Sequence, residues 1–144
     1  HYKFAHGLSL AEPLAEHLAR RCVEARLRFP RGVLVPVPDH PSRRRERGYS
    51  PSGRLAAAFA DHVGLPCRPE LARRLHAGPH QSKLSDEERR KVPGKAFAVQ
   101  PPDDPDMVLV LFDDVIHTGT TLKRLAQAAR KAGWKRIEAV CLCS

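Results

Sequence analysis

The stretch from Met107 to Leu122, MVLVLFDDVIHTGTTL, decides the fold. Its first six residues are apolar without interruption, which is typical of a strand buried on both faces of a parallel sheet. Two adjacent carboxylates, Asp113 and Asp114, follow, and a helical pattern begins at Leu122. Gly119 permits a tight backbone path between them. The predicted caps of the helix are the hydroxyl side chains of the loop, Thr118, Thr120 and Thr121.

This order of strand, acids, loop and helix suits a ribose 5-phosphate. Backbone N–H groups at a helix start, together with the helix dipole, attract a phosphate, and threonine hydroxyls can add donors. Carboxylates would repel a phosphate, but they accept hydrogen bonds from sugar hydroxyls. The candidate sugar-phosphate residues are Asp113, Asp114, Val115, Ile116, His117, Thr118, Gly119, Thr120 and Thr121. His117 is assigned no role in proton transfer.

Other proteins also carry an apolar strand that ends in two acids. A P-loop NTPase would need GxxxxGK[ST], but the Gly94-Lys95 pair is followed by Ala96. A dinucleotide-binding fold would need GxGxxG after a strand, and that motif is also absent. The simplest alternative, a buried strand with a polar end, stays open at this point.

Composition indicates one globular domain over residues 1–144. The chain is 42% hydrophobic and 28% charged, with a formal net charge of +9, which favours polyanionic partners such as phosphorylated metabolites, pyrophosphate or nucleic acid. No apolar run reaches the roughly 20 residues of a membrane span, and HYKFAHGLSL has no secretory pattern. The four cysteines form no CxxC pair, so we expect reduced thiols, no structural zinc site and a cytoplasmic location.

Helical and strand patterns alternate along the chain. The predicted helices are Leu10–Leu27 with Ser9 as cap, Gly53–His62, Ser85–Lys91 and Thr121–Ala132. The predicted strands are Val33–Val37, part of Cys67–Leu75, Lys95–Val99, Met107–Phe112 and Ile137–Leu142. Such alternation predicts an α/β fold with an open parallel sheet, in which ligands bind beyond the carboxyl ends of the strands. The loops 39–51, 76–93 and 113–121 should therefore converge.

Four segments carry a resemblance to a known family. FDDVIHTGTTL resembles the phosphoribosyl-pyrophosphate (PRPP) signature of the type I phosphoribosyltransferases. The other three segments, which precede it in the chain, are YKFAHGLSLAEPLAEHLA, VPVPDHPSRRRERGYSPSGRLAAAFA and HQSKLSDEERRKVPGKAFAV. In this order, the four segments resemble the ComF family, which includes bacterial competence proteins and the related GntX proteins.

The resemblance implies a type I phosphoribosyltransferase fold with a small N-terminal hood, here without the family's N-terminal zinc module. It implies that Asp113 and Asp114 are catalytic and take the ribose hydroxyls. The implied pyrophosphate-binding residues are Arg43, Arg44, Arg47 and Gly48, with Arg45 as a further candidate in the same loop. The implied flexible catalytic loop contains Gln81, Lys83 and Arg89. Mg²⁺ would be bound mainly through PRPP, with no direct protein ligand.

The implied reaction is Mg²⁺-dependent transfer of phosphoribosyl from PRPP to a nitrogen nucleophile, with release of pyrophosphate, in the context of competence and DNA uptake. The acceptor is not identified by any pattern in the chain. Two alternatives stay open: a non-catalytic PRPP-binding module, and a factor that binds single-stranded DNA or other competence proteins during natural transformation. Aromatic residues make up only 6% of the chain, which argues against a dedicated base-stacking platform. Dimers are common in this fold, so a homodimer is a further expectation.

Overall fold

The computed structural model describes residues 10–39, 48–75, 96–115 and 118–143. Helices and strands alternate in the order α1 (Ala11–Glu24), β1 (Gly32–Pro36), α2 (Pro51–Val63), a 3₁₀ turn (Pro69–Leu71), β2 (Ala72–Arg74), β3 (Phe97–Val99), β4 (Val108–Val115), α3 (Thr120–Lys131) and β5 (Arg136–Cys143). The predicted α/β class is confirmed. The N-terminal hood and the candidate helix Ser85–Lys91 fall outside the described residues.

The main sheet is parallel and has β4 at its centre. The strand order is β1-β4-β5, with Leu34 opposite Val110 and Val110 opposite Glu138. Cys67 forms a parallel bridge to Leu34 on the outer side of β1, where the Leu34 N–H donates to the Pro66 carbonyl at 2.9 Å. β2 and β3 pair separately as a short antiparallel ribbon. The predicted strand within Cys67–Leu75 is thus divided into this bridge, the 3₁₀ turn and β2.

β4 is buried on both faces, as its apolar run predicts. Val108, Val110 and Phe112 pack into the cluster formed with α1 and α2, and the Phe112 ring lies 5.5 Å from that of Phe59. Leu109 and Leu111 pack on the opposite face with α3 and the β2–β3 ribbon. Since successive strand residues alternate between faces, one unbroken run fills both halves of the core.

The helix starts differ from the sequence predictions by a residue or two. Ser9 is not the cap of α1, because the N-cap is Leu10 and it makes no side-chain capping bond. α2 begins at Pro51, with the Ser50 hydroxyl accepting a hydrogen bond from the Gly53 N–H at 3.0 Å. A proline at the first helical position costs no hydrogen bond, so the helix extends two residues before the predicted start. α2 ends at Gly64, as predicted, in the left-handed conformation with φ 69°.

Candidate functional site

The two acids belong to β4 itself. The strand continues through Asp113, which pairs with Cys141, to Val115, which pairs with Cys143. The prediction that the strand ends at Phe112 was therefore wrong at its carboxyl end. Backbone pairing with β5 continues after the apolar side chains stop, and hydropathy alone does not detect that pairing.

Because the acids are consecutive strand residues, their side chains point to opposite faces. Asp113 follows Leu111 on the α3 face and is half-buried. Asp114 follows Phe112 on the face of α1 and α2 and is only 4% exposed. The sequence motif predicts that both carboxylates bind one sugar, whereas in the structure Asp113 is the more accessible of the two.

The threonine turn leads directly from the acids to the start of α3. Gly119 is the N-cap, in the left-handed conformation with φ 69° and without a side-chain capping bond, so none of the three threonines caps the helix as predicted. Thr118 lies before the cap, whereas Thr120 and Thr121 are the first two helical residues. A tight path at Gly119 is thus confirmed.

Within this turn, part of the hydrogen bonding is internal. The Thr120 N–H donates to the Thr118 hydroxyl at 3.3 Å, and the two threonine hydroxyl oxygens lie 2.8 Å apart. Thr118 and Thr120 are both exposed to solvent. A phosphate at this turn would therefore compete with a long, weak internal hydrogen bond for the Thr120 amide.

Beside the acids, the chain leaves β1 as an extended segment. The Val37 N–H donates to the Phe112 carbonyl at 2.8 Å, so this segment lies next to the acidic end of β4. A cleft of about 620 Å³ opens between Pro36–Asp39, the first turns of α2 and β2. Among the residues that the structure describes, the basic side chains that line this cleft are Arg54, Arg73 and Arg74.

Arg74 is the half-buried arginine of this cleft. Its Nε–H donates to the Pro38 carbonyl at 3.2 Å. Its guanidinium carbon lies 4.9 Å from the centroid of the Phe97 ring, within range of a cation–π contact. Arg74 therefore joins the ribbon to the segment that follows β1.

One of the cysteines, Cys67, also lines the cleft, and its surroundings disfavour the thiolate. Burial raises the pKa of the Cys67 thiol above its usual value, and the negative charges of Glu70 and Asp61 raise it further. Burial likewise raises the pKa of Cys22. Both cysteines and Cys141 are free thiols. A protonated thiol is a poor nucleophile, so Cys67 is treated as part of the cleft lining and is given no catalytic role.

Several predicted site residues lie outside the described part of the chain: Arg43, Arg44, Arg45, Arg47, Gln81, Lys83, Arg89, Ile116 and His117. Gly48 is described and adopts φ 71°, a conformation that L side chains rarely adopt. No sequence pattern assigns the three cleft arginines to the candidate site. Arg73 and Arg74 are adjacent in the sequence and belong to a basic cluster that favours polyanionic partners, whereas Arg54 lies on a different element. Only the fold brings them to one cleft.

No protein-family model matches the chain. It is 29% identical over 145 residues to the DNA utilization protein YhgH of Salmonella typhimurium, an alignment that covers 98% of this chain and 63% of that protein. It is also 31% identical over 108 residues to competence protein F of Haemophilus influenzae, covering 74% of this chain and 47% of that protein. The chain is a homologue of the ComF proteins. It spans less than two thirds of the length of either relative.

Solved structures show the same fold in phosphoribosyltransferases. The allosteric regulatory enzyme of purine biosynthesis superposes with a TM-score of 0.57 at 19% identity, over 94% of this chain and 26% of that one. Purine phosphoribosyltransferase from Pyrococcus horikoshii superposes with a TM-score of 0.53 at 16% identity, over 91% and 71% respectively. The predicted type I phosphoribosyltransferase fold of this ComF homologue is therefore confirmed. None of the helices that the structure describes has the length and apolar content needed to cross a bilayer.

Proposed function

We propose that this chain binds PRPP with Mg²⁺ at the carboxyl edge of its parallel sheet and transfers the phosphoribosyl group to a nitrogen nucleophile, in the context of DNA uptake. One observation carries the proposal. A carboxylate-bearing strand end, Asp113 to Val115, is followed within a few residues by the Gly119 turn and the amino end of α3. That succession provides acceptors for a diol and donors for a phosphate at adjacent positions.

The ribose end of PRPP has a defined place in this proposal. Asp113, the half-buried acid on the α3 face, accepts hydrogen bonds from the ribose hydroxyls. The amides from Thr118 to Thr121 and the exposed hydroxyls of Thr118 and Thr120 hold the 5-phosphate. Asp114 is buried on the other face and is given no contact with the ribose in this proposal.

The pyrophosphate end of PRPP lies toward β1 in this proposal. The cleft beside Pro36–Asp39 contains the exposed guanidinium groups of Arg54 and Arg73, which suit phosphate oxygens because each presents several donors in a planar fork. The family resemblance adds the loop residues Arg43, Arg44, Arg47 and Gly48 to this end, and that assignment remains a prediction. Positive charge here would stabilise the negative charge that develops on the leaving group.

Mg²⁺ fits this donor set as a substrate-bound ion. Among residues 10–39, 48–75, 96–115 and 118–143, no group of three or more His, Cys, Asp or Glu side chains is arranged to hold a metal. Mg²⁺ commonly takes one or two carboxylates and completes its octahedron with water and substrate phosphates. When bound, the ion would neutralise charge on the pyrophosphate.

In the proposed reaction, the bond between ribose C1 and the pyrophosphate oxygen breaks and a bond from C1 to the acceptor nitrogen forms. The electron pair of the broken bond leaves with pyrophosphate, and the nitrogen loses its proton to solvent. The chain contributes binding and electrostatic stabilisation, and no side chain needs to form a covalent intermediate. Exclusion of water by the 76–93 segment is a further prediction of the family resemblance.

Isothermal titration with PRPP and Mg²⁺ tests the binding claim. We expect saturable binding by the wild-type chain, weaker binding by Asp113→Asn, and loss of binding when EDTA removes Mg²⁺. A wild-type chain that takes up no PRPP would refute the proposal. Release of pyrophosphate with a panel of nitrogen bases then separates an enzyme from a non-catalytic PRPP-binding module.

Single-stranded DNA binding is a second candidate function. The observations in its favour are the net charge of +9 and the homologues named for competence and DNA utilization. Binding through phosphates should weaken steeply as salt rises, because each contact releases counterions. Fluorescence anisotropy with a labelled oligonucleotide between 50 and 200 mM salt measures this dependence. Absence of binding at low salt would exclude the candidate without affecting the PRPP proposal.

A further inference from the structure

The segment that follows β1 is held from two sides. Its Val37 N–H donates to the Phe112 carbonyl on β4, one residue before Asp113. Its Pro38 carbonyl accepts from the Arg74 Nε–H on β2. Proline has no N–H and a restricted φ, so the Pro36-Val37-Pro38 sequence offers one backbone donor and little conformational freedom. These two hydrogen bonds therefore set where the segment lies.

Arg74 is itself oriented by the ribbon. Its guanidinium group lies over the ring of Phe97, the residue paired with Arg74 across the β2–β3 ribbon. Phe97 is 4% exposed and packs in the core cluster shared with α3. Only a planar guanidinium can lie over a ring and donate from Nε at the same time, so a lysine would not reproduce the geometry.

We propose that Arg74 is a positioning residue for the candidate PRPP site. It fixes the Pro38 carbonyl, and hence the Pro36–Asp39 wall of the cleft, at a set distance from the acidic end of β4. The inference rests on the proposed function for its ligand, but the contact network that it describes is a property of the unliganded chain. PRPP, which extends from the threonine turn toward β1, requires this wall, whereas ribose 5-phosphate requires only the threonine turn and Asp113.

The experiment compares two ligands and three variants. Arg74→Lys retains the positive charge but loses the planar guanidinium group, and Arg74→Gln loses both. The control is Arg136→Lys, which replaces an exposed arginine at the amino end of β5, at the edge of the sheet opposite the candidate site. We expect both Arg74 variants to bind PRPP with Mg²⁺ about tenfold more weakly, the effect of one lost charge-assisted hydrogen bond. Ribose 5-phosphate binding should be unchanged in all three variants, and Arg136→Lys should match wild type throughout.

Full binding of PRPP by Arg74→Lys would overturn the proposal, because it would show that Arg74 acts by charge alone. An equal loss of PRPP and ribose 5-phosphate binding would also overturn it, because that pattern indicates general distortion of the site.

Hydrogen exchange of the unliganded chain separates this inference from the proposed function. We expect the Val37 amide to exchange faster in Arg74→Lys than in Arg136→Lys, since the segment loses the hydrogen bond from Arg74 to the Pro38 carbonyl. If the exchange rate of Val37 is the same in both variants, Arg74 does not position the segment. If that rate rises in Arg74→Lys but wild-type chain binds no PRPP, the positioning role stands and the proposed ligand is wrong.

Discussion

Asp113 and Asp114 are neighbours in the sequence, yet β4 places their side chains on opposite faces of the sheet. Asp113 shares the α3 face with Leu111 and is half-buried, whereas Asp114 shares the face of α1 and α2 with Phe112 and is 4% exposed. Two acids that form one motif in the sequence therefore have different environments in the structure: one carboxylate is accessible and the other is buried.

This division predicts different outcomes for the same substitution at the two positions. Asp113→Asn should weaken PRPP binding 10- to 100-fold, roughly the effect of hydrogen bonds to a charged group, and should reduce the free energy of unfolding less than Asp114→Asn does, because Asp113 is only half-buried. Asp114→Asn should lower the free energy of unfolding by about 1–3 kcal/mol, because the amide brings N–H donors to a buried place where the carboxylate has only acceptors. Calorimetric titration and urea unfolding measure the two effects. Equal losses of stability in both variants would contradict the assignment.

Gly119 gives a second prediction, with a matched control in the same chain. Gly119 and Gly64 both have φ 69°, the first at the start of α3 and the second at the end of α2. Alanine at either position should lower the free energy of unfolding by about 1–2 kcal/mol, the strain of a side chain in the left-handed region. Only Gly119→Ala should also weaken ribose 5-phosphate binding, because only Gly119 lies in the turn that faces the phosphate. Weaker binding by Gly64→Ala would show that the effect follows from stability alone.

The Cys67 thiol predicts how the free energy of unfolding depends on pH. Burial, then Glu70 and Asp61, raise its pKa in the folded chain above the ordinary value of 9.0. The folded state therefore keeps this proton to higher pH than the unfolded state does. Well below pH 9 both states hold the proton, so this group adds no pH dependence. As pH rises above 9 and through the folded-state pKa, the free energy of unfolding falls. The loss of stability between pH 7 and pH 10 should accordingly be smaller in Cys67→Ala than in wild type.

Urea unfolding of both proteins at the two pH values checks this prediction. Other groups that titrate in the range contribute equally to wild type and variant, so their effect cancels in the difference. An identical pH dependence in the two proteins would contradict the raised pKa of Cys67.

The fold could be predicted where periodicity and burial agree. The apolar run from Met107 to Phe112 is buried on both faces. The next helix, α3, begins at Thr120, within two residues of the predicted start. The carboxyl end of β4 could not be placed by the same argument, because hydropathy stops at Phe112 while pairing with β5 continues to Val115. Prediction from hydropathy thus failed at the end of the strand that carries the candidate site.

The candidate site could be predicted only where its residues are contiguous in sequence. The acids and the threonine turn lie within one short stretch, so a local pattern identifies them. Arg54 lies on α2 and Arg74 on β2, and only the tertiary structure shows that they line one cleft. The contact between Arg74 and the Pro38 carbonyl spans 36 residues, a separation at which propensity and periodicity carry no signal.

A crystal structure of the chain grown with PRPP and Mg²⁺ tests the central claim most directly. We predict density for the 5-phosphate at the Thr118–Thr121 amides, for the ribose hydroxyls against the Asp113 carboxylate, and for pyrophosphate beside the Pro36–Asp39 wall. An intact Thr120 N–H to Thr118 hydroxyl bond, with no ligand at that turn or with PRPP bound elsewhere on the molecule, would contradict the claim.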